Sequence, residues 1–245
     1  MGESKILIFN DKLVIDSWNQ NASAWINTIE NDEIESRKLV TNKAIIDAIV
    51  SYSPATILDI GCGEGWLTRE LTIRGIEAWG VDAVDKLIEK AQLNCGKFLV
   101  ASYEDIVNNI PLTPLTIPPT PLEEGGLFPG SKFDAAVCNF SLLGKETVDS
   151  LIDSIPNLLK NQKLLFIQTL HPVVACGESP YIDGWRQELW NNFNSDFTAA
   201  PWYFRKLETW INLLKSSGFT ILECREPINS LTQKPASIIF IAFCK

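Results

Sequence analysis

From residue 36 onward, short apolar and β-branched runs alternate with longer segments whose apolar residues recur at helical spacing. The short runs predict seven strands, at residues 56–60, 78–82, 97–100, 133–139, 163–169, 219–226 and 236–243. Strands that alternate with helices are typical of βαβ units, which build a parallel sheet with helices on both faces. We therefore expect an α/β fold, a three-layer Rossmann-like sandwich with a seven-stranded, mostly parallel sheet.

The connection between the last two predicted strands is too short for a packed helix. It spans residues 227–235 and has proline at both ends. Parallel neighbours need a crossover of about a dozen residues or more. The last strand should therefore run antiparallel beside its predecessor.

Three further segments stand outside this alternation. Residues 111–130 have the sequence PLTPLTIPPTPLEEGGLFPG, and its six prolines predict a surface insertion. Residues 171–204 are rich in Asn, Asp, Gly and Pro and carry seven aromatic side chains from residue 185 onward, which predicts an irregular cap over a site. Anchoring of a long loop to the core is the alternative. Residues 1–35 predict an N-terminal cover segment, so that residues 1–245 form one domain.

Composition and charge narrow the class of partner. The chain is 46% apolar, and 21 Lys and Arg against 30 Asp and Glu give a net charge of -9. It offers no broad positive field for a phosphate backbone, so we expect no nucleic-acid partner. The apolar burst at residues 6–9 is too short for a signal peptide, and no stretch approaches the 18 or so apolar residues of a membrane span. We expect a cytoplasmic protein without a membrane partner.

Metal ligands are scarce in this sequence. The six cysteines are scattered without a CxxC pair, and His171 is the only histidine. A zinc site or a disulfide framework needs closer ligand spacing than this. We therefore expect no metal site.

A glycine-rich turn follows the first predicted strand. The sequence DIGCGEG runs from Asp59 to Gly65, and Asp82 ends the second strand 21 residues after Gly61. Glycines let a backbone approach a ligand closely, and an acidic residue at that distance is suited to a ribose diol. The arrangement predicts a nucleotide-like ligand.

The usual ligand of such a turn is a dinucleotide, but the side chains here oppose one. Glu64 and Asp59 would repel a pyrophosphate, and the bulky Trp66 stands where the dinucleotide fingerprint has Gly or Ala. Carboxylates suit a ligand that carries an ammonium, a sulfonium and a ribose. S-adenosylmethionine is such a ligand.

At these residues the chain resembles the class I S-adenosylmethionine-dependent methyltransferases, most closely the small-molecule group that includes the ubiquinone and menaquinone biosynthesis enzymes. The resemblance covers residues 35–245 and rests on the motifs DIGCGEG, GVDAVDKLIEKA and FDAAVCNFSLL, which stand in the expected order. It implies S-adenosylmethionine as cofactor and S-adenosylhomocysteine as product, and it does not define the acceptor.

The resemblance also implies roles for residues along the sheet edge. Around the methionine part and the ribose it implies Asp59, Gly61, Cys62, Gly63 and Asp82. Ala83 would lie against the adenine, and the segment with Ser102 and Tyr103 would flank the base, although many relatives have Asp where this chain has Ser102. Asn139 and Phe140 end the fourth strand, where the family's main chain meets the methionine amine.

The N-terminal region offers further cofactor contacts. Arg37 is a candidate for a bidentate bond to the methionine carboxylate, and a solvated arginine at a helix start is the alternative. Trp18 and Trp25, seven residues apart in a predicted helix, are candidates for a cation–π contact with the sulfonium. Packing of that helix on the domain explains the two tryptophans equally well.

The acceptor site is predicted after the fifth strand. His171 follows that strand at the edge where open α/β sheets bind ligands, which makes it the candidate general base. A histidine that only caps the strand end is the alternative. The aromatic residues Trp185, Trp202 and Tyr203 of the cap are candidates for contacts with the acceptor.

Together these features predict methyl transfer to a small molecule, with an oxygen or nitrogen nucleophile favoured, by a monomer or homodimer. Two alternatives remain open: a regulatory module that binds S-adenosylmethionine without catalysis, and a methyltransferase that acts on a protein or RNA. A DNA amino-methyltransferase is disfavoured because the fourth strand ends in Asn139-Phe140-Ser141-Leu142 rather than [DN]PP[YFW].

Overall fold

The computed structural model describes residues 9–108, 132–190 and 196–244, with the main chain alone at 161–163. The helices of these ranges are α1 (Asp11–Glu30), α2 (Asn42–Val50), α3 (Trp66–Ile73), α4 (Asp85–Gln92), α5 (Tyr103–Val107), α6 (Glu146–Leu158), α7 (Pro172–Cys176) and α8 (Leu207–Ser216). The strands are β1 (Thr56–Ile60), β2 (Glu77–Asp82), β3 (Lys97–Val100), β4 (Phe133–Asn139), β5 (Leu159–Thr169), β6 (Gly184–Glu188), β7 (Ala200–Phe204), β8 (Phe219–Arg225) and β9 (Ile238–Cys244). A π-helical turn, Arg37–Thr41, leads into α2.

Seven of these strands form one sheet in the order β3-β2-β1-β4-β5-β9-β8. The pairs β1–β2, β2–β3, β1–β4 and β4–β5 are parallel, whereas β9 is antiparallel to both β5 and β8. The predicted sheet and its antiparallel last strand are confirmed. The insertion of β9 between β5 and β8 was not part of the prediction, because a short β8–β9 connection fixes only that these two strands are neighbours.

The two faces of the sheet carry separate apolar cores, because successive strand residues point to opposite sides. On β1, Leu58 packs on the side of α6 and α8, while Ile57 packs on the side of α2 and α3. Both side chains are fully buried. This packing gives the predicted three layers, with helices on each face of the sheet.

The region after β5 is more regular than the prediction of an irregular cap. Helix α7 follows at once, and β6 and β7 form a two-stranded antiparallel sheet, with Trp185 opposite Tyr203 and Arg186 opposite Trp202. Pairing of two short aromatic strands satisfies their backbone groups, and this pairing is not visible in the local sequence pattern.

The predicted cover segment contains one long helix. Asn10 caps α1 by accepting a hydrogen bond from Leu13 N at 3.1 Å. Within the described ranges, no helix is long and apolar enough to cross a membrane. The predicted insertion at residues 111–130 lies outside the described residues.

Candidate functional site

The glycine turn joins β1 to α3 and is fixed to the neighbouring strand β2. Gly61 N and Cys62 N both donate to the carbonyl oxygen of Val81, at 2.8 and 2.9 Å. Gly61 has a φ of 75°, and a Cβ built there would lie 2.3 Å from Ser141 Cβ. The turn therefore requires glycine at this position and lies directly against the end of β4.

Asp82 at the end of β2 holds the same turn from the other side. Its Oδ2 accepts from Gly63 N and its Oδ1 from Val84 N, both at 2.9 Å. Burial raises the pKa of Asp82 to about 6, against the effect of these two hydrogen bonds. Asp82 and Ala83 both line the central cavity, which brings the predicted ribose carboxylate to the turn.

Asp59 lies beneath the turn and is 1% exposed. Its Oδ2 accepts from Thr68 Oγ1 at 2.8 Å, while Oδ1 has no hydrogen-bond partner in the described part of the chain. The pKa of Asp59 is raised to about 7, mainly by burial and in part by the neighbouring carboxylates of Glu64 and Asp82. This oxygen is available to a donor on a ligand.

Glu64 and Arg37 bring opposite charges to this part of the cavity. Glu64 is 5% exposed, its Oε1 lacks a partner among the described atoms, and burial raises its pKa while Arg37 opposes that shift. The Arg37 guanidinium lies 4.9 Å from the centre of the Trp66 ring and donates from Nε to Asn42 Oδ1 at 3.3 Å. Burial lowers the pKa of Arg37. The site can receive a ligand that carries both signs of charge.

The end of β4 closes this side of the cavity. Asn139 Oδ1 is a third buried oxygen for which the described residues supply no partner. Phe140 has a φ of 54°, in the left-handed region, and its N donates to the carbonyl oxygen of Gln168 at 2.8 Å. Backbone strain of this kind is concentrated at binding and active sites. We call Arg37, Asp59, Glu64, Asp82 and Asn139 the charged wall.

Ser102 and Tyr103 do not both face the cavity. Ser102 caps α5: its Oγ accepts from Asp105 N at 3.1 Å, and its N donates to Asp105 Oδ2 at 2.8 Å. Ser102 does not line the cavity, and its contact with the base stays a prediction. Tyr103 does line it, and its hydroxyl donates to the carbonyl oxygen of Ser141 at 2.8 Å. Tyr103 therefore joins β3 to the end of β4.

Helix α1 contributes one face to the cavity. Asp11, Val14, Trp18 and Trp25 line it at the three- and four-residue spacing of a helix face. The rings of Trp18 and Trp25 meet edge to face, with centroids 5.3 Å apart, and Trp190 from the region after β6 lies 5.9 Å from Trp18. The predicted pair of tryptophans thus lies together at the cavity, joined by a third that was not predicted as a site residue.

The remaining wall comes mainly from β7 and α8. Its aromatic residues, which we call the aromatic wall, are Trp202, Tyr203, Phe204 and Trp210. Trp185 is not part of it: this ring packs on Tyr203, with centroids 5.4 Å apart, and does not line the cavity. Of the three predicted acceptor residues, Trp202 and Tyr203 therefore line the cavity and Trp185 does not, and their contacts with the acceptor stay predictions.

His171 follows the end of β5 as predicted, but its side chain contacts Glu226 and does not line the cavity. Its Nε2 lies 2.8 Å from Glu226 Oε1, and the residue does not line the cavity, although its neighbours Leu170 and Pro172 do. The structure therefore does not bring His171 into the cavity, and its role as general base stays a prediction. The sequence places a strand-end residue at the ligand edge but does not tell which way its side chain points.

Asp11 and Arg205 line the cavity and were missed from the sequence. Arg205, 2% exposed, donates to the carbonyl oxygens of Gly144 and Lys145 and to Asp149 Oδ1 at 2.8 to 2.9 Å. Asp11 stands at a predictable helix start, but its partners are more than 130 residues away along the chain. No local signal could have assigned them.

The cavity as a whole has a volume of about 480 Å³. It lies at the carboxyl ends of β1, β2 and β4, and it combines the charged wall, the aromatic wall and the inner face of α1. A seven-stranded sheet of this strand order, with an acid-lined glycine turn and an acidic residue ending β2, defines the class I methyltransferase fold.

Comparisons with known proteins agree with this class. The sequence model of a methyltransferase domain family matches residues 37–224, well over half of the chain. The chain therefore belongs to this family of methyltransferase domains, which confirms the resemblance predicted from the glycine-turn motif.

Curated relatives are distant in sequence. A ubiquinone biosynthesis O-methyltransferase from Xylella fastidiosa is 28% identical over 133 residues, which cover 52% of this chain and 46% of that protein. The protein of the same name from Chromobacterium violaceum is 25% identical over 163 residues, covering 66% of this chain and 64% of that protein. The matches thus span about half to two thirds of these relatives.

Solved structures confirm the predicted fold class. Magnesium protoporphyrin IX methyltransferase from Synechocystis PCC 6803 has a TM-score of 0.61 at 16% identity, covering 96% of this chain and 100% of that one. An S-adenosylmethionine-dependent methyltransferase from Clostridium acetobutylicum has a TM-score of 0.59 at 15% identity, covering 93% of this chain and 98% of that one.

Proposed function

We propose that this protein transfers a methyl group from S-adenosylmethionine to a small-molecule acceptor, with an oxygen or nitrogen nucleophile favoured. The observation that carries the proposal is the charged wall, in which Asp59, Glu64 and Asn139 each present a buried oxygen without a partner among the described residues. Buried polar groups are normally paired, so three together favour a ligand rich in donors and positive charge.

The charged wall fits the parts of S-adenosylmethionine. Asp82 suits the ribose hydroxyls, the free oxygens of Asp59 and Asn139 suit the ammonium group, and Arg37 suits the carboxylate. A Cβ built on Gly63 has no atom nearer than Trp25 Nε1 at 3.8 Å, so the main chain there is open to a ligand. Glu64 balances the charge of Arg37 in this buried setting.

When bound, the cofactor supplies a methyl group activated by a positively charged sulfur. Trp18 and Trp25 line the cavity, and ring surface there suits that charge and excludes water from it. Methyl transfer is an in-line displacement, so the contribution of the aromatic wall is to align the acceptor and keep the site dry.

The acceptor is a small molecule with a flat or apolar body. The cavity volume of about 480 Å³ lies within the range of about 300–1,000 Å³ for small-molecule sites. Trp202 and Tyr203 offer ring surface, and the relatives named for ubiquinone biosynthesis support an aromatic acceptor. A net charge of -9 disfavours RNA as the acceptor.

Among the described residues, few groups that line the cavity could take a proton from the acceptor. His171, the only histidine, contacts Glu226 rather than the cavity. Of the acidic residues outside the charged wall, Glu188 and Asp11 line the cavity, but each accepts backbone N–H groups. This favours an acceptor whose attacked atom ionises readily or has no proton to lose.

Two measurements test the proposal. Calorimetry with S-adenosylhomocysteine should detect one tight site per chain, and no binding would overturn the proposal. Incubation with isotope-labelled S-adenosylmethionine and panels of phenols, carboxylic acids, amines and thiols, followed by mass spectrometry, should yield a methylated product from one class. Binding with no product from any class would favour the non-catalytic binding module instead.

A further inference from the structure

The two halves of α1 are attached to the domain in different ways. The second half is anchored on α4: Ala22 packs with Val84 and Leu87. Two polar contacts reinforce this anchor, an ion pair between Lys90 and Glu30 and a hydrogen bond from Lys86 to Ser23. Asn21, at the middle of the helix, exchanges hydrogen bonds with the main chain of Thr198 at 2.8 and 2.9 Å.

The first half of α1 has fewer buried residues than the second half. From Asp11 to Ser17 only Val14 and Ser17 are buried. Within the described residues, its hydrogen bonds to the rest of the domain are those of Asp11, whose Oδ1 accepts from Lys145 N and whose Oδ2 accepts from Thr147 N, both at 2.6 Å. Hydrogen bonds from backbone N–H groups to a carboxylate are among the strong ones in proteins.

Asp11 thereby caps a helix to which it does not belong. Helix α6 begins at Glu146, and Lys145, at its cap position, makes no side-chain cap. The carboxylate of Asp11 takes that place, where the positive end of the helix dipole also favours it. The first turn of α6 and the start of α1 are thus joined through one side chain.

The segment whose N–H groups bind Asp11 also has its carbonyl oxygens bound by a buried arginine. Arg205 donates to the carbonyl oxygens of Gly144 and Lys145. A Cβ on Gly144 would lie 2.9 Å from Asp11 Oδ1, so glycine is what permits the close approach. Asp11 therefore binds a segment whose carbonyl oxygens are held independently by Arg205.

From this asymmetry we propose that Asp11 is a positioning residue: it holds the first half of α1, with Val14 and Ile15, over the cavity, and its release opens that half while the second half, with Trp18, stays packed on α4. The proposal rests on the proposed function in that the enclosed ligand is S-adenosylmethionine or its product. Helix α1 precedes residues 37–224, which the family model matches, so this attachment lies outside the matched domain.

We call the attachment of Asp11 to the backbone of Lys145 and Thr147 the latch. Amide hydrogen exchange on the ligand-free protein tests the latch without a measurement of activity. In Asp11→Ala, exchange of the amides at residues 12–18 should accelerate at least about tenfold, because two charge-assisted hydrogen bonds are lost. Exchange at residues 22–30 should stay within about twofold, because the anchor on α4 is untouched. Asp11→Asn, which keeps one acceptor oxygen, should lie between.

Release of S-adenosylhomocysteine, followed by stopped-flow tryptophan fluorescence, provides the second readout. The dissociation rate should rise about tenfold or more in Asp11→Ala and less in Asp11→Asn, since the ligand leaves through the opened half of α1. The matched control is Asp16→Ala, on the same helix, whose carboxylate pairs only with the exposed Lys12 in the described structure. It should leave both readouts at the wild-type level.

The outcomes separate this inference from the proposed function. If wild-type protein does not bind S-adenosylhomocysteine, the proposed function fails, and the exchange pattern alone still decides the latch. If Asp11→Ala and Asp11→Asn lower the melting temperature but leave exchange at 12–18 and the dissociation rate unchanged, Asp11 is only a cap of α6 and the inference is overturned. An equal rise in exchange along the whole of α1 would also overturn it.

Discussion

The charged wall and the aromatic wall of the cavity treat their polar groups in opposite ways. Three of the five charged-wall residues, Asp59, Glu64 and Asn139, keep a buried oxygen without a partner in the described structure. Beside the aromatic wall, Asp11 and Arg205 are both committed to backbone groups of the β4–α6 connection. The charged wall keeps polar atoms that can bind a ligand, whereas the polar groups beside the aromatic wall are used in hydrogen bonds within the protein.

The difference has an energetic consequence. Unpaired buried polar atoms cost stability, so the charged wall is maintained at the expense of folding free energy. Raised pKa values of Asp59 and Asp82 report the same cost, because burial disfavours their charged forms. The satisfied polar groups beside the aromatic wall carry no such cost, and substitutions in the two walls should therefore differ in kind.

The largest effect is expected at Asp82. Asp82→Ala should weaken S-adenosylhomocysteine binding roughly 10- to 100-fold, because a charge-assisted hydrogen bond to the ribose is worth about 1.5–3 kcal/mol. Calorimetry measures it. Asp85→Ala, an exposed carboxylate three residues further on, is the matched control and should bind normally. Unchanged affinity in a folded Asp82→Ala protein would remove the ribose assignment.

Asp59→Asn should make the protein more stable and bind its cofactor less well. The folded pKa of about 7 lies above the ordinary value of 3.8, so the folded state binds more protons between those pH values. Its free energy of unfolding therefore falls as pH rises from about 4 to about 7. Removing the charge should reduce this pH dependence. It should also raise the free energy of unfolding by about 1–3 kcal/mol at pH 8.

Urea unfolding at several pH values checks this expectation. The free energy of unfolding of wild-type protein should fall between about pH 4 and pH 7. That of Asp59→Asn should fall less, and a part of the fall should remain because the pKa of Asp82 is raised to about 6. A variant that is less stable than wild type at pH 8 would show that the charged form of Asp59 is favourable in the fold, contrary to the cost assigned to the charged wall.

On the aromatic wall, Trp202 and Trp185 form a matched pair on adjoining strands. Trp202 lines the cavity and Trp185 does not. Trp202→Ala should lower kcat/KM for the acceptor about tenfold through lost ring contact, with cofactor affinity unchanged. Trp185→Ala should stay near wild type. Steady-state kinetics with the acceptor from the panel decides it, and equal losses in both variants would contradict the division between lining and supporting rings.

The smallest effect is expected at His171. Because its Nε2 bonds Glu226 away from the cavity, His171→Ala should change kcat by less than about threefold. A general base would instead contribute about 10²- to 10⁴-fold. A loss of that size, with unchanged cofactor affinity and melting temperature, would restore His171 as the base.

Much of the fold could be predicted from the sequence, because its signals are local. Strands β1, β3 and β4 begin and end at the predicted residues, and the antiparallel last strand followed from the length of one connection. The glycine turn and Asp82 were predictable for the same reason. The pattern consists of a strand, three alternating glycines and an acidic residue at a fixed distance. It gives the same local structure in every βαβ unit of this kind.

Only the tertiary structure decided which side chains reach the cavity. The sequence placed the segments after β3 and β5 and the cap at residues 171–204 near the ligand edge, but Ser102, His171 and Trp185 do not line the cavity while Tyr103, Pro172 and Trp202 do. Side-chain direction at a strand end depends on the neighbouring elements, and partners such as Asp11 and Lys145 are 134 residues apart. Local pattern carries no information about contacts that only the folded chain brings together.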